Sequence, residues 1–331
     1  MIAPARSLTH PADEVLRHGP MRVLRYRPLR AETPASRPVL LVPSIINRAY
    51  ILDLREGQSL AGHLLEQGLD VFLVDWGTPS AADAHLDLEA YAVRLLRRAI
   101  RGARAASGAE AVHLLGYCLG GTFALIAGAC GVPGIDTICA LTTPVDLSEP
   151  GPLSVLTDRR LVDLERLCRA YPVVPGPALW ATFQALDPVG IPRKYRRAGE
   201  RWRDREQRER FRAQEAWLND PVPMTARVLR DVVDGLYRKN LLAKGELRVA
   251  GRPVALARGT QPVLNLIASS DSLVPPACAR PLADLWGGPV TTREFAAGHI
   301  GVTVGSRAPR DLWATVAQWL RAHQPTKELP S

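Results

Sequence analysis

Apolar residues along this chain gather in short unbroken runs, and between the runs they recur every three or four positions. The runs are PVLLVPS (38–44), DVFLVDW (70–76), AVHLLGY (111–117), TICALTT (137–143), PVLNLIAS (262–269) and PVTTREF (289–295). A strand with one wet face would alternate, so near-continuous runs predict parallel strands covered on both faces. Helical patterns lie between them. SLAGHLLEQG (59–68) carries Leu60, Leu64 and Leu65 on one side and ends in glycine; LEAYAVRLLRRAIRGARAASG (88–108) repeats the pattern over about five turns. Near the end, DLWATVAQWLRAHQ (311–324) aligns Leu312, Val316, Trp319 and Leu320. Strands alternating with helices predict an α/β protein with an open, mostly parallel sheet.

The alternation stops between about 150 and 255. That stretch holds prolines at 150, 152, 172, 175, 177, 188 and 192, and its patterns are helical, as in TARVLRDVVDGLYRKNLL (225–242). The expected division is an N-terminal segment (1–20), a core made of 21–149 and 256–325, and a helical cap insertion (150–255) over the active-site edge of the sheet.

Composition narrows the function classes. With 331 residues, 47% of them apolar, the chain can bury a substantial core. The five cysteines (118, 130, 139, 168, 278) form no C-x-x-C pair and no cluster with histidine at zinc-ligand spacing, which argues against a disulfide framework or a structural metal. No signal-peptide h-region opens the chain and no apolar run is long enough to span a bilayer, so a cytoplasmic protein without a transmembrane segment is expected. The net charge of +9 is concentrated in RKYRRAGERWRDREQRERFR (193–212), with ten basic and four acidic residues. The simplest reading is a solvated helix with i,i+4 pairs among Glu200, Asp204, Arg201, Arg205 and Arg208. No nucleic-acid-binding signature accompanies the run, so nucleic acid is not an expected partner.

The chemistry points to HLLGYCLGGT, where G-x-C-x-G-G stands between an expected strand and an expected helix. A tight strand-to-helix turn of this kind holds a nucleophile at the carboxyl end of a sheet. Gly116 and Gly120 omit side chains where the turn folds onto neighbouring backbone, and Gly121 lets the helix approach the sheet. The helix N-terminus behind Cys118 favours thiolate, and the backbone N–H of Leu119 points to where an oxyanion would form. Cys130, Cys139, Cys168 and Cys278 read instead as inert buried thiols. G-x-x-x-x-G-K-[ST] is absent, so the turn is not read as a phosphate cradle.

A thiol nucleophile needs a base, and the base an orienting acid. His299 alone among seven histidines lies in a glycine-flanked loop, FAAGHIGVT, after the last expected strand. His63 and His113 fall inside periodic elements and read as packing or surface residues; His10, His18, His85 and His323 carry no accompanying pattern. Asp271 directly follows the strand PVLNLIAS, and Asp146 in TTPVDL is the rival acid. The order Cys118, Asp271, His299 is that of α/β-hydrolases, and the second oxyanion donor is expected near Ser44 and Ile45, after the first strand of the alternating pattern.

These residues resemble the polyhydroxyalkanoate synthases, especially the short catalytic subunits of the two-subunit (class III) type. The likeness runs from about residue 20 to 322 and is carried by INRAYILDLREGQSLAGHLLEQGLDVFLVDWGTPS, GYCLGG, LTTPVDL, EAWLNDPVP, GELRVAGRPVALARGTQPVLNLIASSDSLVPP and AAGHIGVTVG. The resemblance implies an α/β-hydrolase fold with a mobile cap. It also implies an acyl chain carried on Cys118, activation by His299, and Asp271 assisting His299 or the incoming hydroxyl. The implied partners are a hydroxyacyl-coenzyme A, used as substrate with no separate cofactor, a growing polyester chain, a second copy of the chain in a homodimer and a second synthase subunit. An implied location is the surface of polyester granules. The chain departs from the family at one place: a histidine usually follows the catalytic aspartate, and here the position is Ser272, which bears on polymerisation more than on acyl transfer. Two other readings stand beside this one: a cysteine-dependent esterase or thioesterase on the same fold, and a non-catalytic granule-associated subunit.

Overall fold

The computed structural model describes residues 8–29, 37–149, 151, 158, 163–185 and 204–325. Eight strands form one sheet: β1 (Ala12–His18), β2 (Met21–Tyr26), β3 (Val39–Val42), β4 (Val71–Asp75), β5 (Val112–Tyr117), β6 (Ile135–Leu141), β7 (Val263–Ala268) and β8 (Val290–Phe295). Their spatial order is β1-β2-β4-β3-β5-β6-β7-β8. From β4 onwards every pairing is parallel, and β1 and β2 join that edge antiparallel. The six strands expected from the apolar runs are β3 to β8. β3, β5 and β7 are buried at every position, as their unbroken apolar sequences require.

The helices bury the faces their periodicity marks. Helix α1 (Leu60–Glu66) buries Leu60, Leu64 and Leu65, is capped by Ser59 accepting from the Gly62 N–H, and is followed by Gly68 at φ +75°. Helix α2 (Leu96–Ser107) packs on β1 and β2, and helix α3 (Leu119–Ala129) packs on β5 and β6 and against α2. The terminal pattern is a π-helical turn, Pro309–Trp313, leading into α-helix Ala314–Ala322; Leu312, Val316 and Leu320 are buried there, and Trp319 packs on the core from a half-buried position.

The N-terminal hairpin was not foreseen. Ala12–His18, within the segment set apart as 1–20, is an edge strand of the main sheet, joined to β2 by the two-residue turn Gly19-Pro20. His10, a residue with no sequence pattern around it, ties this end down: its Nδ1 lies 2.7 Å from Asp53 Oδ1, and fully buried Asp53 also accepts from Ser59 Oγ at 2.7 Å. His113 is buried within β5 with Nδ1 at 2.8 Å from Thr137 Oγ1. His63, on α1, sets its ring 5.7 Å from that of Trp313.

Between 150 and 255 the described residues include helices Leu164–Ala170, Gly176–Ala185, Arg205–Leu218 and Ala226–Arg230, the last running on as a π-helical turn over Asp231–Arg238. The basic run lies outside the described residues from 193 to 203. Its remainder begins with Asp204 as N-cap of Arg205–Leu218 and carries i,i+4 pairs Arg205–Glu209 at 3.0 Å and Arg210–Glu206 at 2.9 Å. Arg55 of the core reaches Glu206 at 2.7 Å, so this helix is charge-matched to the surface it lies on. No helix among the described residues is long and apolar enough to cross a membrane.

Candidate active site

Cys118 follows the last residue of β5 and precedes the first residue of α3, and it stands at φ 56°, ψ −125°. This is a sparsely populated conformation for a side-chain-bearing residue, costing on the order of 1–3 kcal/mol unless the surroundings enforce it. They do so on both sides. The Cys118 N–H donates to the Leu141 carbonyl at 2.9 Å, and the Cys118 carbonyl accepts from Gly121 at 2.9 Å and Thr122 at 3.3 Å. A Cβ on Gly120 would stand 2.0 Å from the Val42 carbonyl oxygen, and one on Gly121 would stand 1.9 Å from Thr143 Oγ1. The turn can therefore exist only with glycine at these points, which is the steric content of the G-x-C-x-G-G pattern.

His299 follows β8, and Asp271 follows β7, so both lie at the carboxyl end of the sheet with Cys118. His299 Nδ1 is 2.7 Å from Asp271 Oδ2, while Asp271 Oδ1 accepts from the N–H groups of Leu273 and Val274, each at 2.8 Å. The carboxylate is thus held from below and aims its other oxygen at the imidazole. Tyr117 O–H donates to the His299 carbonyl at 3.2 Å and fixes the loop. Burial alone would lower the His299 pKa, but the charge of Cys118 and hydrogen bonds to Asp271 and Cys118 overcome it and raise the pKa to about 10. With Nδ1 engaged by Asp271, Nε2 is the nitrogen available to the thiol.

The rival acid is elsewhere. Asp146 Oδ1 accepts from the Ser148 N–H at 2.9 Å and from Asn240 Nδ2 at 2.8 Å, so it joins the loop after β6 to the insertion. Of the expected oxyanion donors, Leu119 is the first residue of α3, whose N–H has no acceptor within the helix. Ser44 lines the cavity over Cys118, and Ile45 beside it is buried. Cys139, Cys168 and Cys278 are buried as expected; Cys130 is exposed, because the chain emerges from the core at the end of α3.

A cavity of about 320 Å³ covers Cys118 and His299. Ile46, Ile51, Leu273 and Ile300 give it an apolar wall on the core side, and Trp180, Trp217 and Leu218 close it from the insertion. Trp217 is held by donating Nε1–H to the Arg48 carbonyl at 2.8 Å. Tyr237, also from the insertion, has its pKa raised by burial and further by the nearby charges of Cys118, Cys278 and Asp271. None of these wall residues could be assigned from sequence, since nothing in a helical pattern says which face will cover a site 60 or more residues away; the one local sign for Trp217 was its place in EAWLNDPVP.

The strand order, with a nucleophile turn after β5 and acid and histidine after later strands, defines the class as α/β-hydrolase fold. The sequence matches the alpha/beta hydrolase fold family over residues 37–305. Solved structures agree at the level of fold: a monoacylglycerol lipase from Paleococcus ferrophilus (19% identity, TM-score 0.54, covering 87% of this chain and 96% of that one) and a putative lipase from Acinetobacter baumannii AYE (14%, TM-score 0.54, covering 96% and 93%). Within that class, residues 8–64 match the Poly-beta-hydroxybutyrate polymerase (PhaC) N-terminus family. Proteins named Poly(3-hydroxyalkanoate) polymerase subunit PhaC are similar throughout. Those of Haloferax mediterranei, Synechocystis and Allochromatium vinosum share 34%, 33% and 32% identity, over 97%, 95% and 94% of this chain. The chain spans 66% of the Haloferax protein's length, 85% of the Synechocystis protein's and 88% of the Allochromatium protein's. It belongs to the poly(3-hydroxyalkanoate) polymerase PhaC family.

Proposed function

We propose that the chain is an acyltransferase that polymerises (R)-3-hydroxyacyl-coenzyme A into polyhydroxyalkanoate through a thioester on Cys118. The observation that carries this reading is the thiol on its strained turn beside an imidazole held by Asp271, under an apolar cavity. His299 Nε2 takes the thiol proton, and the sulfur attacks the thioester carbonyl carbon. The N–H of Leu119, with a second from the Ser44–Ile45 segment, receives the developing oxyanion. As the C–S bond to coenzyme A breaks, the imidazolium proton passes to the departing thiolate. One thioester replaces another, so the exchange is nearly isoenergetic and the acyl group stays activated. A hydroxyl of a second acyl unit, its proton taken by His299, then attacks that carbonyl; an ester forms and the Cys118 thiol is restored.

The cavity wall supports transfer over hydrolysis, because a dry pocket holds the acceptor hydroxyl close while excluding water. Ser272, where the family usually has histidine, is exposed and is not among the residues lining the cavity, whereas Leu273 is. The reading extends to a homodimer, a second synthase subunit and a place at the surface of polyester granules.

The test is product analysis. Purified protein, alone and with candidate partner subunits, is incubated with 3-hydroxybutyryl-coenzyme A while thiol release and polymer are followed. Polymer with stoichiometric thiol is expected. Thiol release with only free hydroxy acid would make the protein a cysteine-dependent esterase or thioesterase. Alkylation of Cys118 by iodoacetamide no faster than an ordinary thiol would favour the non-catalytic subunit.

A further inference from the structure

A second cavity, of about 740 Å³, lies at the same end of the sheet, where β1 and β2 meet the residues that follow β4. Three arginines line it: Arg17 from β1, Arg22 from β2, and Arg48. Arg17 and Arg22 are direct cross-strand partners in the antiparallel pair, so their side chains leave the same face of the hairpin. Like charges placed directly opposite are destabilising. Each guanidinium already meets a carboxylate: Glu14 takes two donors of Arg17, through Nε at 2.8 Å and Nη2 at 2.6 Å, whereas Arg22 and Arg48 each meet theirs through one nitrogen. Arg17 pairs with Glu14 on the exposed i,i+3 surface, Arg22 meets Asp75 through Nη2, and Arg48 meets Asp220 through Nε at 3.2 Å and Thr78 through Nη1 at 2.7 Å. With five N–H donors in each fork, all three retain donors for an anion.

Arg48 also lines the cavity over Cys118, so it belongs to the wall the two cavities share. Asp75 and Asp220 share the lining, so it carries three guanidiniums against two carboxylates; the donors left over on the three forks suit phosphate better than a neutral polyester chain. The geometry points to this second cavity as the seat of the phosphorylated nucleotide end of the coenzyme A thioester, with Arg17 and Arg22 as phosphate ligands and the acyl end delivered past Arg48 to Cys118. This inference rests on the acyl-transfer reading and deepens it by assigning a place to the part of the substrate that does not react.

The experiment compares kcat/KM for 3-hydroxybutyryl-coenzyme A with that for 3-hydroxybutyryl-N-acetylcysteamine, the same acyl thioester without phosphates. In Arg17→Gln and Arg22→Gln the ratio of the two should fall about tenfold for each arginine, the usual worth of a charge-assisted hydrogen bond. Arg22→Lys, which keeps the charge and loses the fork, should fall between wild type and Arg22→Gln. A ratio within twofold of wild type in both Gln variants overturns the assignment, as does an equal loss on both substrates. Failure of the underlying reading looks different: wild type then releases thiol from neither thioester. In that case calorimetric titration with adenosine 3′,5′-bisphosphate still decides the cavity, since binding that Arg17→Gln and Arg22→Gln weaken supports it and no binding to wild type overturns it.

Discussion

Replacing Asp271 with Asn separates the electrostatic from the structural work of this carboxylate. Oδ1 accepts two backbone N–H groups at 2.8 Å and Oδ2 faces His299 Nδ1 at 2.7 Å. An amide at this position must keep its oxygen on the two backbone donors, so its NH₂ turns to His299. The ring then has to accept at Nδ1 and carry its proton on Nε2, the nitrogen that should take the proton of Cys118. The charge is lost as well. The rise of the His299 pKa from 6.5 to about 10 corresponds to ~5 kcal/mol in favour of imidazolium, shared between Cys118 and Asp271. With the wrong tautomer and the lost charge together, thiol release should fall by up to about 10⁴-fold, the scale seen when a triad carboxylate becomes an amide. Because the backbone bonds survive, unfolding midpoints should change little. The assay is coenzyme A release from 3-hydroxybutyryl-coenzyme A, with Asp146→Asn in parallel. Retention of more than a third of the wild-type rate by Asp271→Asn would refute the argument, and a larger loss in Asp146→Asn would transfer the role to Asp146.

Other perturbations test the packing around the site. Gly120→Ala places a methyl 2.0 Å from a backbone oxygen that cannot rotate away, so a loss of about 1–3 kcal/mol in urea unfolding is expected together with about a hundredfold slower alkylation of Cys118 as the turn shifts. Wild-type alkylation in that variant would mean the turn does not position the thiol. Trp217→Ala removes a buried wall residue, costs about 3–5 kcal/mol, and should move kcat/KM toward longer acyl thioesters; unchanged chain-length preference would remove Trp217 from the acyl wall. For His113, burial, outweighing the charge of Asp136, lowers the pKa to about 4 from 6.5, so the unfolded chain binds its proton first. Its stabilisation is therefore present above pH 6.5 and is lost as pH falls toward 4. Urea midpoints at pH 7 and pH 5 should diverge in wild type and converge in His113→Gln.

What could be read in the sequence follows from how far each constraint reaches along the chain. Cys118 was legible because the mark of its turn is local: the backbone of Val42 and the side chain of Thr143 press on it from far along the chain, but the glycines they demand, Gly120 and Gly121, stand within three positions of it. His299 and Asp271 were legible because each directly follows a strand whose apolar run marks its end. The β1–β2 hairpin was missed although a local sign existed. Gly19-Pro20 is a turn dipeptide, and Met21, Val23 and Tyr26 are buried, but Asp13, Glu14 and Arg17 on the edge strand read as surface. The same limit hid the contacts that pin the N-terminal hairpin and wall the cavity over Cys118. Asp53 finds His10 across 43 residues, and the cavity wall is made by Trp180 and Trp217 meeting Ile46 and Ile51, contacts no periodicity encodes. The opposed pair Arg17 and Arg22 is the instructive case. Each arginine alone is an ordinary surface residue in a basic chain. Only the strand register makes them neighbours in a cavity, where each keeps its own carboxylate, Glu14 or Asp75, and still has donors to spare for an anion.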